Sequence, residues 1–290
     1  MICPVQQSIP EMTRPAAALR PGSSSPVALL EATGTSPQAE TGSGSPGSRP
    51  VRRIADTNLH DRVLNELGPA LVAGDPASGE VLRTDELVER FSVSRSVIRE
   101  AIRVLESMHV LESRRSVGVT VLPRAEWNPF DPRMIRWRLA GPDRRAQLQS
   151  LTELRFGIEP AAAALAARKA TPEHCGELAA AVMGMASTGR AGDLDAYLQH
   201  DIAFHRAVLA ASGNEMFASL GNVIAEVLTG RTTHHLMPQH PNPEAVRLHM
   251  TVANAIQTQD SDAARLAMHD ILAEVSDAMN TDAAPEAVGA

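Results

Sequence analysis

The chain has 290 residues, of which 43% are hydrophobic and 3% aromatic, and its net charge at pH 7 is −7. This length is sufficient for two domains with buried cores, and no apolar run approaches the roughly 18 residues of a membrane-spanning helix. The two cysteines exclude a disulfide framework and an all-cysteine zinc site, and the N-terminal residues lack the pattern of a signal peptide. We therefore expect a cytoplasmic protein.

The first 50 residues differ in composition from the rest of the chain. Residues 1–50 contain 8 Pro, 5 Gly and 8 Ser and no aromatic residue. Such a segment cannot bury enough apolar surface to offset the entropy lost on ordering. We predict a disordered tail, or a start codon assigned too early.

Residues 51–123 begin with the pattern of two helices. Apolar residues recur at helical spacing over 59–72, and the Gly-Asp-Pro sequence at 74–76 ends this helix. Thr84 is predicted to cap a short helix over 85–91, which has acidic residues in its first turn.

A longer helix and a hairpin follow. Ser94 is predicted to cap a helix that ends near Met108, and the β-type runs 110–112 and 117–121 enclose two arginines. Three helices followed by a two-stranded hairpin are the plan of a winged helix-turn-helix domain.

The third helix has the pattern of a DNA-reading helix. Arg95, Arg99 and Arg103 are spaced at i, i+4 and i+8, so they share one face while the apolar residues turn the other way. Serines at the helix start suit phosphate, and arginine can pair with guanine. A solvated surface helix is the alternative. The capped helix before it and the hairpin arginines after it, Arg114 and Arg115, favour DNA.

From Pro129 onward the chain has the pattern of an all-α bundle. Apolar residues recur at intervals of three and four, with Gly, Pro or Asp between the segments. The predicted helices lie near 131–140, 144–170, 172–187, 193–211, 214–233, 243–258 and 261–280.

Asp201 and His205 form a possible metal-binding pair. Their i, i+4 spacing on a helix lets a carboxylate and an imidazole reach one ion, and they share the inward face with Tyr197 and Phe204. A buried acid beside a buried histidine requires either a metal or a mutual hydrogen bond. These two residues leave both interpretations open.

Several stretches resemble one family of bacterial regulators. TDELVERFSVSRSVIREAIRVLESMHVLESRRSVGVTV resembles the DNA-binding domain of the GntR family. ELRFGIEPAAAALAA, DIAFHRAVLAASGN and RLHMTVANAIQTQDSDAARLAM then follow in the order of the FCD effector domain of the FadR-like subfamily. The junction EWNPFDPRMIRWRL is similar to the branch that responds to sugar acids. The resemblance implies a homodimeric, ligand-released repressor that binds an inverted-repeat operator.

The residue patterns and the resemblance together predict a mainly α-helical chain of four parts. These are a disordered tail (1–50), a winged helix-turn-helix DNA-binding domain (51–123), a linker with a linking helix (124–142) and an all-α FCD effector-binding and dimerisation domain (143–282). The residues expected to contact DNA are Ser94, Arg95, Ser96, Arg99, Arg103, Arg115 and Gly118. Asp85 departs from the pattern, since the fatty-acid regulator of this group has an arginine there.

The resemblance supplies His249 as a third metal ligand beside Asp201 and His205. Metal-binding members have a fourth ligand, a histidine, at the position of Ile271, and His269 lies two residues earlier, on the opposite helix face. Three protein ligands leave the other positions on a divalent ion, expected to be zinc, open for water or ligand oxygens.

An effector site is implied next to this metal. Arg155 matches the inward arginine of the family, and its planar guanidinium suits the carboxylate of a sugar acid. Glu159 is expected to orient Arg155 or to bind a ligand hydroxyl, and Arg231, with His234 and His235, to complete the site. A purely structural Arg155–Glu159 pair is the alternative.

Two rival functions remain open at the level of sequence. The dipeptides His200-Asp201 and His269-Asp270 resemble those of metal-dependent phosphohydrolases of the HD type, but adjacent helix residues diverge by about 100°. The other rival is a DNA-binding protein whose bundle only dimerises. We expect a regulator rather than an enzyme.

Overall fold

The computed structural model describes residues 51–233 and 242–281. The predicted tail over 1–50 lies outside the described residues, as do His234 and His235. Among the described helices, none is both long and apolar enough to cross a membrane.

The N-terminal part is a winged helix-turn-helix unit. Its strands form an antiparallel sheet in the order β1-β3-β2, so the first strand pairs with the third. The prediction of a two-stranded hairpin missed β1, which is only two residues long. The elements are α1 (Val51–Ala73), β1 (Val81–Leu82), α2 (Thr84–Phe91), α3 (Arg95–Ser107), β2 (Leu111–Arg114) and β3 (Gly118–Val121).

The starts of α2 and α3 differ in their capping. The hydroxyl of Ser94 accepts a hydrogen bond from the backbone N–H of Val97, as predicted for the cap of α3. The predicted cap at Thr84 is wrong, because α2 begins at Thr84 and Arg83 occupies the cap position without a side-chain hydrogen bond. The acidic residues in the first turn of α2 still stabilise this helix, because negative charge interacts favourably with the N-terminal end of the helix dipole.

A linker and a helical bundle follow the wing. A short 3-10 turn (Arg124–Glu126) precedes α4 (Pro132–Ala140), α5 (Arg144–Lys169), α6 (Pro172–Ala191) and α7 (Leu194–Ala211). The remaining helices are α8 (Glu215–Ser219), α9 (Gly221–Thr233), α10 (Pro243–Gln257) and α11 (Ser261–Thr281). The single helix predicted over 214–233 is therefore two. Asn214 caps the first of them by accepting from the N–H of Met216.

The bundle core combines small and large side chains. Four buried alanines on α5, the residues Ala162, Ala163, Ala166 and Ala167, allow neighbouring helices to approach closely. Phe204 on α7 and Met268 on α11 fill the space between the helices. This packing places the inward faces of α5, α7 and α10 around a common centre.

The linking helix α4 contacts both the winged unit and the bundle. Trp137 packs in the core of the winged unit, while Ile135 and Leu139 join a cluster with residues of α5 and α9. Arg136 forms a two-pronged ion pair with Glu226 of α9. A change in the position of α9 would therefore alter its contacts with α4.

Gly68 is expected to be essential for the packing of α1 against α4. A Cβ at this position would lie 2.4 Å from Cζ2 of Trp137, so Gly68→Ala overfills the contact. We expect a loss of about 1–3 kcal/mol in the free energy of unfolding, measured by urea denaturation. Gly176→Ala on the exposed side of α6, where a Cβ meets nothing within 4 Å, is the matched control and should be neutral or slightly stabilising. Equal stability of the two variants would contradict this account.

Candidate functional site

The outer face of α3 is polar and open. Ser94, Arg95, Ser96, Arg99 and Arg103 are all exposed, while Val97, Ile98, Ala101, Ile102 and Leu105 are buried. The structure thus separates the two faces in the way that the sequence pattern predicts.

The three arginines of α3 differ in their contacts. Arg95 forms an ion pair with Asp85 at 2.9 Å, and Arg103 one with Glu100 at 2.6 Å. In the described part of the chain, the guanidinium of Arg99 makes no hydrogen bond or ion pair. Exposed ion pairs contribute little stability, so a DNA phosphate or base can displace the carboxylates. Arg99 can bind DNA without breaking any contact.

The wing presents a second basic group. Arg115 is exposed in the turn that joins β2 to β3, and Arg114 forms an ion pair with Glu112 at 2.8 Å. Gly118 is the first residue of β3 and lies opposite Arg114, so the tip itself is 115–117. Gly118 has a φ of 118°, and a Cβ there would lie 2.8 Å from Val81. This backbone conformation and the close approach of Val81 explain why a glycine occupies position 118.

A cluster of charged side chains lies inside the helical bundle. It brings together residues that are far apart in the chain and come from four helices, and each is less than 10% exposed. The members are Arg155 and Glu159 on α5, Asp201 and His205 on α7, Arg231 on α9 and His249 on α10.

Asp201, His205 and His249 converge on one point. Oδ1 of Asp201 lies 3.2 Å from Nε2 of His249 and 3.4 Å from Nε2 of His205. One ligand atom from each residue lies within 4.8 Å of the other two. Within the described part of the chain, Oδ1 of Asp201 and Nε2 of His249 are buried without a hydrogen-bond partner, which is costly unless an ion binds them. The three residues fit a divalent metal ion.

The other ring nitrogens of the two histidines face acceptors. Nδ1 of His249 donates to the carbonyl oxygen of Ala245 at 2.6 Å, and Nδ1 of His205 lies 2.5 Å from Oε2 of Glu159. An acceptor at Nδ1 keeps the proton there and leaves the Nε2 lone pair for a metal. Both histidines are thus oriented as ligands.

Arg155 offers an alternative partner to His205. Its Nη2 lies 3.3 Å from Nε2 of His205, and its Nε donates to Glu159 at 2.5 Å. The lone pair of Nε2 can accept from Arg155 or bind a metal, but not both. The Arg155–Glu159 pair considered as the structural alternative is present, and it also touches the metal-ligand set.

No fourth protein ligand joins the three within the described residues. Ile271 is buried, and His269 is exposed, with its ring against Phe156 at a centroid distance of 5.3 Å. His200 packs against Gly184 of α6, so the histidine and the aspartate of the dipeptide His200-Asp201 face different helices. This arrangement differs from what the phosphohydrolase interpretation requires.

The charges of the cluster stabilise one another. Burial opposes ionisation of Glu159, but the positive charges of Arg155 and His205 outweigh it and lower the pKa of Glu159 to about 2. Burial likewise opposes ionisation of Asp201, whose pKa the two histidines hold well below its usual range. Burial and the charge of Arg155 disfavour the protonated form of His205, but the carboxylates of Glu159 and Asp201 together outweigh them and raise its pKa. Both carboxylates are therefore charged at neutral pH.

Sequence reasoning missed two buried polar residues on α5. Gln147 and Thr152 lie eight and three residues before Arg155. Helical spacing from Arg155 was the signal that could have identified them. The contact between Glu159 and His205 had no such signal, because it joins separate helices.

Two family models match the chain. Residues 59–121 match "Bacterial regulatory proteins, gntR family", and residues 150–274 match "FCD domain". The first covers the winged unit, and the second covers the bundle that holds the buried cluster.

Curated relatives match over most of the chain. The galactonate operon transcriptional repressor of Escherichia coli (strain K12) is 31% identical over 218 residues, which are 74% of this chain and 94% of that protein. The HTH-type transcriptional regulator LutR of Bacillus subtilis is 30% identical over 67% of this chain and 88% of its own length. The sequence prediction of a GntR-type regulator with an FCD domain is confirmed.

Solved structures of related regulators also match. Streptococcus agalactiae GntR is 25% identical, with a TM-score of 0.42, and the match covers 76% of this chain and 98% of that one. E. coli McbR/YncC is 21% identical, with a TM-score of 0.46, over 77% of this chain and 98% of that one.

Glu159→Gln is expected to lower the pKa of His205. The carboxylate of Glu159 is the main cause that raises this pKa above 6.5, and glutamine removes its charge. The stability that a raised histidine pKa contributes is present below pH 6.5 and is lost as the pH rises through the pKa of the folded protein. Titration of the imidazole Cε1–H signals by NMR, in metal-free protein, measures the change.

Glu153→Gln, at an exposed position on the same helix, is the control and should leave the titration of His205 unchanged. If His205 has the same pKa in the Glu159→Gln variant as in the unsubstituted protein, the contact between Glu159 and His205 is contradicted.

Proposed function

Because the chain belongs to the GntR family of bacterial regulatory proteins and carries an FCD domain, we propose that this transcriptional regulator is a homodimeric repressor that a sugar acid releases from DNA. The observation that carries the effector proposal is the buried cluster in which Arg155 lies beside three converging metal-ligand side chains. The repressor role and the class of effector are argued by similarity to the galactonate operon repressor.

The winged unit is proposed to bind one half of an inverted-repeat operator. The exposed face of α3 would enter the major groove, where Arg99 is available for a base and Ser94 for a phosphate. Arg115 on the wing would contact the adjacent backbone or minor groove. Residues 51–124 contain 11 basic and 11 acidic residues, so non-specific attraction is weak and binding depends on two half-sites.

The FCD domain is proposed to hold a divalent metal, with zinc as the expected ion. Asp201, His205 and His249 would bind it through one oxygen and two nitrogens. When bound, the ion supplies positive charge and open positions for ligand oxygens. Arg155 would bind the ligand carboxylate, while Glu159 holds Arg155 and the ring of His205 in place.

The bound acid is proposed to act on DNA binding through α9 and α4. Arg231 in the buried cluster and Glu226 at the α4 contact lie on the same helix, α9. Gly230 allows close packing of α9, since a Cβ there would lie 2.5 Å from Leu139. The ligand must bind the released state more tightly than the DNA-bound state in order to shift the equilibrium. The protein would act in the cytoplasm and without catalysis.

Fluorescence anisotropy on the DNA upstream of the protein's own gene tests this function. We expect specific binding that resists competitor DNA and that galactonate or a related sugar acid releases. Arg155→Lys keeps the charge but loses the planar guanidinium, so it should bind DNA normally and respond at least tenfold less to the acid. DNA binding that no sugar acid affects would contradict the effector assignment, and a normal response of Arg155→Lys would place the carboxylate elsewhere.

Arg99→Ala is expected to reduce specific DNA binding. A bidentate arginine–guanine contact contributes about 1–3 kcal/mol of discrimination, so specific affinity should fall at least fivefold. Competitive anisotropy titrations at constant salt concentration measure the loss. Arg190→Ala removes one exposed arginine at the end of α6 and controls for net charge. If both variants bind the operator like the unsubstituted protein, α3 does not read the bases through Arg99.

A further inference from the structure

Two helices of the winged unit share one ion pair at the proposed DNA surface. Nη2 of Arg95, the first residue of α3, lies 2.9 Å from Oδ1 of Asp85, in the first turn of α2. Arg103 pairs within α3, with Glu100. In the described part of the chain, the guanidinium of Arg99 has no such partner. Among the described α3 arginines, Arg95 is therefore the one that a carboxylate of another helix holds.

The start of α3 holds the backbone of Arg95 in place. The hydroxyl of Ser94 accepts a hydrogen bond from the N–H of Val97, and it lies 2.8 Å from the hydroxyl of Ser96. A capped helix start fixes the backbone but leaves a long arginine side chain free to rotate. The carboxylate of Asp85 restricts that side chain, so the guanidinium is oriented before DNA binds. Ordering that precedes binding no longer costs affinity.

A carboxylate at the start of α2 is unfavourable near DNA unless a cation accompanies it. In helix-turn-helix proteins the recognition helix enters the major groove, and the preceding helix crosses the phosphate backbone. The first turn of α2 contains two carboxylates, and the second of them, Glu86, lies 3.8 Å from Nε of Arg83. If Arg95 left Asp85 for a phosphate, the carboxylate of Asp85 would face the DNA without a positive partner. The ion pair should therefore persist in the complex.

A guanine can bind Arg95 without displacing Asp85. A guanidinium has five N–H donors, and the closest approach of this ion pair is at one nitrogen, Nη2. Guanine presents two neutral acceptors in the major groove, O6 and N7, which take two donors of one arginine. Exposed ion pairs are weak in water, but the exclusion of water at a DNA interface strengthens the attraction. The arrangement suits a base contact for Arg95, with Asp85 behind it.

We propose that Asp85 is a specificity-determining residue of the DNA interface, which positions Arg95 to read a guanine and keeps it from binding a phosphate. This inference rests on the proposed function, because it takes α3 as the helix that reads the operator. It assigns Arg95 to a base, and it gives Asp85 a role that is exerted through Arg95 rather than by a contact of its own with DNA.

The base preferences of the full-length protein and its variants test this role. The preferred site is selected from random double-stranded DNA, and each base pair of one half-site is then changed in turn. Competitive anisotropy titrations at constant salt concentration measure the preference at every position. Arg95→Ala identifies the base that Arg95 reads, where the unsubstituted protein should prefer guanine about tenfold. Asp85→Asn should reduce that preference to about twofold and leave the preferences at the other positions unchanged.

Glu86→Gln is the matched control for Asp85→Asn. It removes one negative charge from the neighbouring residue of the same helix turn, where the side chain is 72% exposed compared with 68% for Asp85. Both substitutions should raise the affinity for non-specific DNA, because each removes a repulsion of the phosphates. Only Asp85→Asn should change the preference for guanine. Thermal unfolding of each variant verifies that the fold is retained.

The double variant Arg95→Ala/Asp85→Asn decides whether Asp85 acts through Arg95. In the Arg95→Ala background, Asp85→Asn should have no further effect on any base preference. A further effect there would mean that Asp85 reads a base itself, and it overturns the inference.

Other outcomes also separate this inference from the proposed function. An Asp85→Asn variant that keeps the preference for guanine, or a Glu86→Gln variant that loses it equally, overturns the inference and leaves the regulator intact. If Arg95→Ala weakens binding to all sequences equally, Arg95 binds a phosphate and the inference fails. A selection that yields no preferred sequence contradicts the proposed function together with the inference.

Discussion

The carboxylate of Glu159 contacts both Arg155 and His205 inside the helical bundle, and the other charged groups of the cluster depend on it. It compensates a buried guanidinium and occupies the Nδ1 side of the His205 ring. Without it, a positive charge would be left unpaired at a position that is 1% exposed. The same contact directs Nε2 of His205 toward Asp201, so the electrostatic balance of the core and the geometry of the metal-ligand set have a single origin.

The bundle and the winged unit are joined through small residues at close helix contacts. Gly68 of α1 faces Trp137 of α4, and Gly230 of α9 faces Leu139 of the same α4. Close contacts of this kind have few alternative packings, so a shift of one helix is passed to the next rather than absorbed. Because α9 also carries Arg231, the buried cluster and the DNA-binding unit lie at two ends of one continuous series of contacts.

Local sequence patterns correctly predicted the elements that depend on interactions between residues close together in the chain. The three-and-four spacing in α3 and the serine at its start give an amphipathic helix with a side-chain cap, and the structure has both. The errors occurred where local signals were weak. The strand β1 has two residues and exists only because β3 pairs with it, and Arg83 rather than Thr84 precedes α2. The helix break at Leu220 has only a single glycine beside it, Gly221, which is the first residue of α9.

The sequence by itself determined the two-part plan, the polar face of α3 and the pairing of Asp201 with His205, because these follow from helical periodicity within one segment. Only the tertiary structure decided which distant groups meet. Glu159 and His205 come from separate helices, and their contact depends on how α5 packs against α7. The burial of Arg231 beside this cluster also depends on how the helices pack against one another. Such contacts are set by side-chain packing in the whole bundle, which no periodicity along the chain encodes.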